Sequence, residues 1–264
     1  GIRNISPNIE FSAYYHLRSD LCRVVARSPR NVSQPPIYLR NKKMPTPDFL
    51  GARGSNAGDD FHELWVLRHA LQLLDPDTDL KAVTAEGLLA LDEKGFPKDT
   101  WDGVDCVFYY EAGSIERLVV DQIKYSSADP GNTWTISRLT KTTNENKDNS
   151  VIGRLGKAFA GLRKNRSEIV AKKGLEIRLV SNQGISSSVI SALQVDGIPK
   201  NKRDADNRQK LVAASGLDTD SFREFAEVLD LSQCGTDSRF AVEEKIRLTV
   251  SQWTDDDARG YVNG

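Results

Sequence analysis

Two apolar runs stand close together in the middle of the chain, and they constrain its fold more than any other feature. One is Gly103-Val-Asp-Cys-Val-Phe-Tyr-Tyr110, the other Arg117-Leu-Val-Val-Asp-Gln-Ile-Lys-Tyr125. Both are rich in β-branched and aromatic residues. Glu111-Ala-Gly-Ser114 between them is turn material, so the pair reads as a β-hairpin. Each run carries charged or amide side chains inside an otherwise buried pattern, and an unpaired carboxylate in such a place is costly.

The flanking sequence supplies helices. The apolar positions of Ile9–Val25 predict a helix, and the Pro-rich, basic stretch from Ser28 to Pro47 reads as an irregular arm. Gly51–Gly58 reads as flexible, leading into a helix over Phe61–Leu74 with Asp59 and Asp60 in its first turn. Leu80–Leu91 is strand-like. Ser150 caps a predicted helix to Val170, Gly174 ends it, and Leu175–Val180 follows as a β run. Ser186–Leu193 predicts a short helix, Pro199–Arg208 a charged loop, and Arg208–Ala214, Ser221–Leu229 and Arg239–Trp253 further helices. Helices around a hairpin and one more strand imply an α/β class with a central mixed sheet. The expected organisation is an N-terminal helix and arm over 1–50, a core over about 51–195 and a helical portion over about 196–264.

The chain has 36 Lys/Arg against 37 Asp/Glu, a net charge of −1, so it is not basic as a whole. Its charges are segregated. His16–Lys43 holds seven basic residues and one acid, and Arg154–Lys173 again seven and one. A neutral chain with basic stretches can present a positive face to phosphates. Arg154, Lys157, Lys164 and Arg166 are the candidate phosphate contacts, with a solvated helix face as the plain alternative. Three widely spaced cysteines and three histidines form neither a disulfide framework nor a zinc pattern. A reducing cytoplasm is expected. No apolar run approaches the roughly 20 residues of a membrane span.

Within the hairpin, side chains two apart share a face, so Gln122 and Lys124 point one way and Ile123 the other. Asp105, across the hairpin, can reach that same side. A magnesium ion takes oxygen ligands and keeps several waters. Asp105 offers a carboxylate, Gln122 an amide oxygen and Ile123 its carbonyl. Lys124 offers a cation to orient a water and to offset charge on a phosphate. Glu86, in Ala85-Glu-Gly87, is the preferred second acid, with Glu63 in reserve. Asp121 faces away from Gln122 and reads as structural. His62 and His69 read as packed or surface helix residues, and Trp65 as core.

This arrangement resembles the PD-(D/E)XK phosphodiesterases, in which an Asp in one strand precedes an acid-x-Lys in the next. The Gln-x-Lys form is similar to the Mrr-like branch. More closely, the chain resembles the double-strand DNA nuclease domain of CBASS-associated effectors, which also heads some antiviral STAND NTPases. Four places carry the likeness: Gly58-Asp-Asp-Phe-His-Glu-Leu-Trp65, Thr84-Ala-Glu86, Gly103-Val-Asp105 and Asp121-Gln-Ile-Lys-Tyr125. It spans roughly residues 50 to 250. The resemblance implies a restriction-endonuclease-like core, Mg2+ with Mn2+ as a substitute, and endonucleolytic cutting of double-stranded DNA in phage defence. It also implies self-association or a sensor module, such as a STAND NTPase or a nucleotide-sensing domain, and so a fragment of a longer, gated protein. The departures are Gln122, where the commoner motif has an acid, and His62, which follows Phe61 where Mrr-like enzymes often carry Glu. Competing readings are a catalytically silent DNA-binding or assembly module of the same fold, and a modification-dependent restriction endonuclease.

Overall fold

The structure is a computed structural model that describes residues 49–264 except 76, 114, 143–148, 195–200 and 264. The expected helix over Ile9–Val25 and the basic arm Arg27–Lys43 lie outside the described residues.

The predicted hairpin forms the centre of a five-stranded mixed sheet. Strands β1 (Leu80–Ala85), β2 (Cys106–Ala112) and β3 (Ile115–Lys124) are antiparallel neighbours. β4 (Leu175–Ser181) joins β3 in parallel, and β5 (Leu229–Asp230) joins β4 in parallel. The β2–β3 register runs from Cys106 opposite Asp121 to Ala112 opposite Ile115. Gly113, with φ of 64°, makes the turn that a β-carbon would strain.

β3 is buried on both faces, as its continuous apolar run requires. Its even positions, Leu118 and Val120, belong to a large core built with helix α4 (Val151–Asn165), α7 (Lys202–Ser215) and α8 (Thr219–Val228). Phe159, Leu211, Phe222 and Phe225 fill that core. Its odd positions, Val119 and Ile123, pack on the other face against Phe61 and Trp65 of α1 (Phe49–Ala70) and Val242 of α9 (Arg239–Asn263). Short helices α2 (Ala90–Glu93), α3 (Ile136–Leu139), α5 (Ser167–Ala171) and α6 (Ser187–Leu193) complete the α/β fold. The arrangement is compatible with a restriction-endonuclease-like core.

Several local expectations hold. Ser150 accepts a hydrogen bond from the Gly153 amide and starts α4. Others change. α1 runs unbroken through Gly51–Gly58, where a flexible stretch was expected, and is tied to α9 by Asp60–Arg239 at 2.6 Å. The predicted Ser150–Val170 helix breaks at Arg166 into α4 and α5. α7 starts at Lys202, inside the expected loop, because Asn201 caps it through the Asp204 amide and Leu211 is buried against the core. Among the described residues no helix is long and apolar enough to cross a membrane.

Candidate functional site

The ends of β1, β2 and β3 meet at one edge of the sheet, and Asp105 is pinned there by three backbone partners. Its N–H donates to the Asp121 carbonyl at 2.9 Å, and its carbonyl accepts from the Glu86 N–H at 2.7 Å. Its Oδ2 accepts the Ile123 N–H at 2.5 Å. The last of these lets a carboxylate stand in for the ladder acceptor that Ile123 would find in regular pairing. The Asp105 side chain is therefore placed by the sheet itself.

Two cationic or cation-forming groups approach the same oxygen. Lys124 Nζ lies 3.9 Å from Asp105 Oδ2, and His62 Nε2 lies 3.3 Å from it. The His62 Nε2 atom is buried and has no well-aligned hydrogen-bond partner. Burial pushes the Asp105 carboxyl up, but His62, Lys124 and the Ile123 amide outweigh it, and the pKa lies below the usual Asp value. Burial lowers Lys124, Asp105 draws it back, and Arg154 lowers it further, leaving the ammonium easier to deprotonate than an ordinary lysine.

Gln122 is the neighbour across the hairpin. It is fully buried, and among the described residues neither Oε1 nor Nε2 has a hydrogen-bond partner. A buried amide left unpaired costs roughly 1–3 kcal/mol per group. Strand alternation sets Gln122 and Lys124 on the α4 face. Asp121 and Ile123 take the other face, where Asp121 Oδ2 accepts from the Trp65 indole at 2.7 Å and Arg178 donates to both Asp121 oxygens at 2.6 and 2.8 Å. Asp121 is thus an interior ion-pair partner on the face opposite Gln122.

A hard divalent cation suits this donor set. Asp105 provides one carboxylate whose Oδ1 accepts no hydrogen bond among the described residues, and Gln122 provides an amide oxygen that is unpartnered among them. The unpartnered amide is the observation that favours the fit. Among the described residues no three His, Cys, Asp or Glu side chains converge as a metal cage. Waters and substrate oxygens would complete the shell, as magnesium prefers.

The other expected residues separate clearly. Glu86 meets Asp105 through its backbone amide, takes a left-handed φ of 57°, and exposes its side chain. Glu63 is exposed on α1, and it is His62, one place earlier, that faces Asp105. His62, whose sequence context predicts a packed or surface helix residue, is instead a neighbour of the Asp105 carboxylate. Its place after Phe61, where the resembling enzymes carry an acid, was the available signal.

Among the four basic candidates, Arg154 stands at the site. It lies in the first turn of α4, close enough to Lys124 to lower its pKa. A β-carbon on Gly103 would sit 2.7 Å from the Arg154 β-carbon, so the glycine is what lets α4 approach the Asp105 loop. Lys157 pairs with Asp99 at 3.0 Å, and Lys164 lies over the Phe96 ring. Arg166 holds Asp92, Glu116 and Glu168 at 2.8, 2.8 and 3.0 Å. Glu116 and Lys124 stand at opposite ends of β3, roughly 26 Å apart at the ordinary strand rise.

Comparison of the chain with protein-family models and with curated proteins gives no match.

Proposed function

We propose that the chain is a metal-dependent endodeoxyribonuclease of the restriction-endonuclease-like fold that cuts double-stranded DNA, acting as the effector of a bacterial antiviral protein. The observation that carries the reading is the buried Gln122 amide, unpartnered among the described residues, two residues before Lys124, whose Nζ lies 3.9 Å from the pinned carboxylate of Asp105. The helix–three strand–helix–strand order of α1, β1–β3, α4 and β4 supports the fold assignment.

Asp105 and Gln122 would hold a Mg2+ or Mn2+ ion, with the Ile123 carbonyl as a further oxygen and Glu86 assisting through water. Bound there, the ion supplies charge neutralisation at the phosphate and lowers the pKa of a bound water. Lys124 orients the attacking water, and its lowered pKa suits it to accept a proton from that water. Arg154, which forms no ion pair among the described residues, holds a neighbouring phosphate and fixes the backbone relative to Lys124. A single side-chain carboxylate in the centre leaves little negative charge to repel DNA.

The test is cleavage of supercoiled, linear and single-stranded DNA in Mg2+ and Mn2+, with and without EDTA. Nicking that EDTA abolishes, and that Asp105→Ala and Lys124→Ala each reduce by about 10²–10³-fold, is the expected result. Duplex binding with no cleavage in either metal would reject the enzyme. That outcome would favour a DNA-binding or assembly module, a reading that the single carboxylate also fits.

A further inference from the structure

Among the described residues His62 is the one side chain from outside the hairpin that reaches Asp105, and no chemistry assigned above uses it. α1 is held on the sheet by Phe61 and Trp65, which are 0% and 1% exposed. Phe61 also stacks on Tyr125 with ring centroids 4.9 Å apart, which fixes this turn of α1 over the end of β3. The next residue, one helical step of about 100° further round, is His62. Its Nε2 is buried and 3.3 Å from Asp105 Oδ2, although the side chain as a whole is 32% exposed. The imidazole therefore has Nε2 buried in the site, while other atoms of the side chain are open to solvent.

Oδ2 already accepts the Ile123 amide, and His62 Nε2 stands 3.3 Å from the same oxygen. The other oxygen, Oδ1, accepts no hydrogen bond among the described residues. Carboxylates that bind metals are themselves held by outer hydrogen bonds, and loss of such a partner typically weakens metal binding by about 10–100-fold.

We propose that His62 is a positioning residue, which clamps Asp105 through Oδ2 so that Oδ1 is presented as the ligand atom for the divalent cation. An imidazole thus stands where the resembling enzymes carry an acid, and it acts on the ligand and not on the ion. The inference rests on the metal-dependent reading given above.

The experiment is titration of the full chain with Mn2+, following free Mn2+ by electron paramagnetic resonance. Wild type, H62A, H62Q, H62N and D105A are compared, with thermal melts in EDTA for each. The expected result is a loss of Mn2+ affinity of about 10–100-fold in H62A, with an unchanged melt in EDTA. H62Q, whose amide is long enough to donate to Oδ2, returns affinity close to wild type, and the shorter H62N does not. H62A binding Mn2+ as wild type does, while D105A has lost it, overturns the role of His62 and leaves the metal site standing. Wild type binding no more Mn2+ than D105A overturns the metal reading and this proposal together. A melt lowered in EDTA with unaltered Mn2+ affinity marks a purely structural contact, and also overturns it. Should H62A fail to fold, the contrast between H62Q and H62N makes the same decision.

Discussion

Arg178 of β4 grips Asp121 of β3 through hydrogen bonds of 2.6 and 2.8 Å, on the sheet face opposite Gln122. Asp121 is 0% exposed and Arg178 11%, and the Trp65 indole donates a third bond to the carboxylate. Burial pushes the Asp121 pKa up, and the guanidinium and indole pull it back. Removing one partner leaves the other charge buried alone, which costs about 3–5 kcal/mol. Asp121→Asn is therefore expected to lower the urea midpoint sharply. Cleavage per folded molecule should persist, because the side chain does not face Lys124. Equal damage to stability and to specific activity would contradict this separation of faces.

His69 gives the fold a pH limit of its own. It lies between Trp65 and Phe108, with ring centroids 4.9 and 4.4 Å away. Its Nδ1 contacts the Trp65 carbonyl at 2.9 Å. Burial pushes its pKa down from 6.5 to about 4, with Arg178 and Arg68 adding to the effect. In the folded state the ring stays neutral where the unfolded chain would bind a proton. Stability from this group is fully present above pH 6.5 and falls away toward pH 4, by about 3 kcal/mol in all. Urea unfolding from pH 4 to 7 should show that slope in the wild type and a shallower one in His69→Phe. Parallel slopes would remove His69 as the cause.

Glu86 holds a left-handed backbone, φ 57°, in a residue that pays a steric penalty for it. Its N–H nevertheless supports the Asp105 carbonyl at 2.7 Å. Glu86→Gly keeps that bond and relieves the strain, so stability should hold or rise by up to about 1 kcal/mol. If Glu86 assists through water, Mg2+ dependence of cleavage shifts to higher concentration in the same variant. Differential scanning calorimetry and a metal titration of cleavage read the two effects separately. A marked loss of stability would show that the side chain, and not only the amide, supports the loop.

Arg154 and Arg166 belong to one predicted basic segment but should behave differently. Arg154→Ala is expected to flatten the dependence of duplex affinity on salt by about one phosphate contact, with little change in stability. Arg166 is committed to three carboxylates, among them Asp92, which is 3% exposed. Arg166→Ala should leave the salt slope alone and destabilise by about 1–3 kcal/mol. Fluorescence anisotropy over a salt series, beside urea unfolding, checks both. An unchanged slope in Arg154→Ala would remove that residue from the DNA path.

What the sequence determined by itself was local. The β-branched and aromatic runs over Cys106–Ala112 and Ile115–Lys124, with turn chemistry between, specified the hairpin, and Ser150 specified the start of α4, because both signals act between near neighbours in the chain. The two-residue period of strand side chains separated Gln122 and Lys124 from Asp121. Tertiary structure decided what depends on distant partners. The rotation of α1 was fixed by Phe61 and Trp65 settling on the sheet, and this turned His62 and not Glu63 toward Asp105. β5 has two residues and exists only because β4 offers it an edge. The first half of α7 reads as a charged loop, and it is helical because Asn201 caps it and the Leu211 that follows is buried in the core. A residue's spacing predicts its face within one element, whereas the meeting of two faces is a property of packing, which no local pattern encodes.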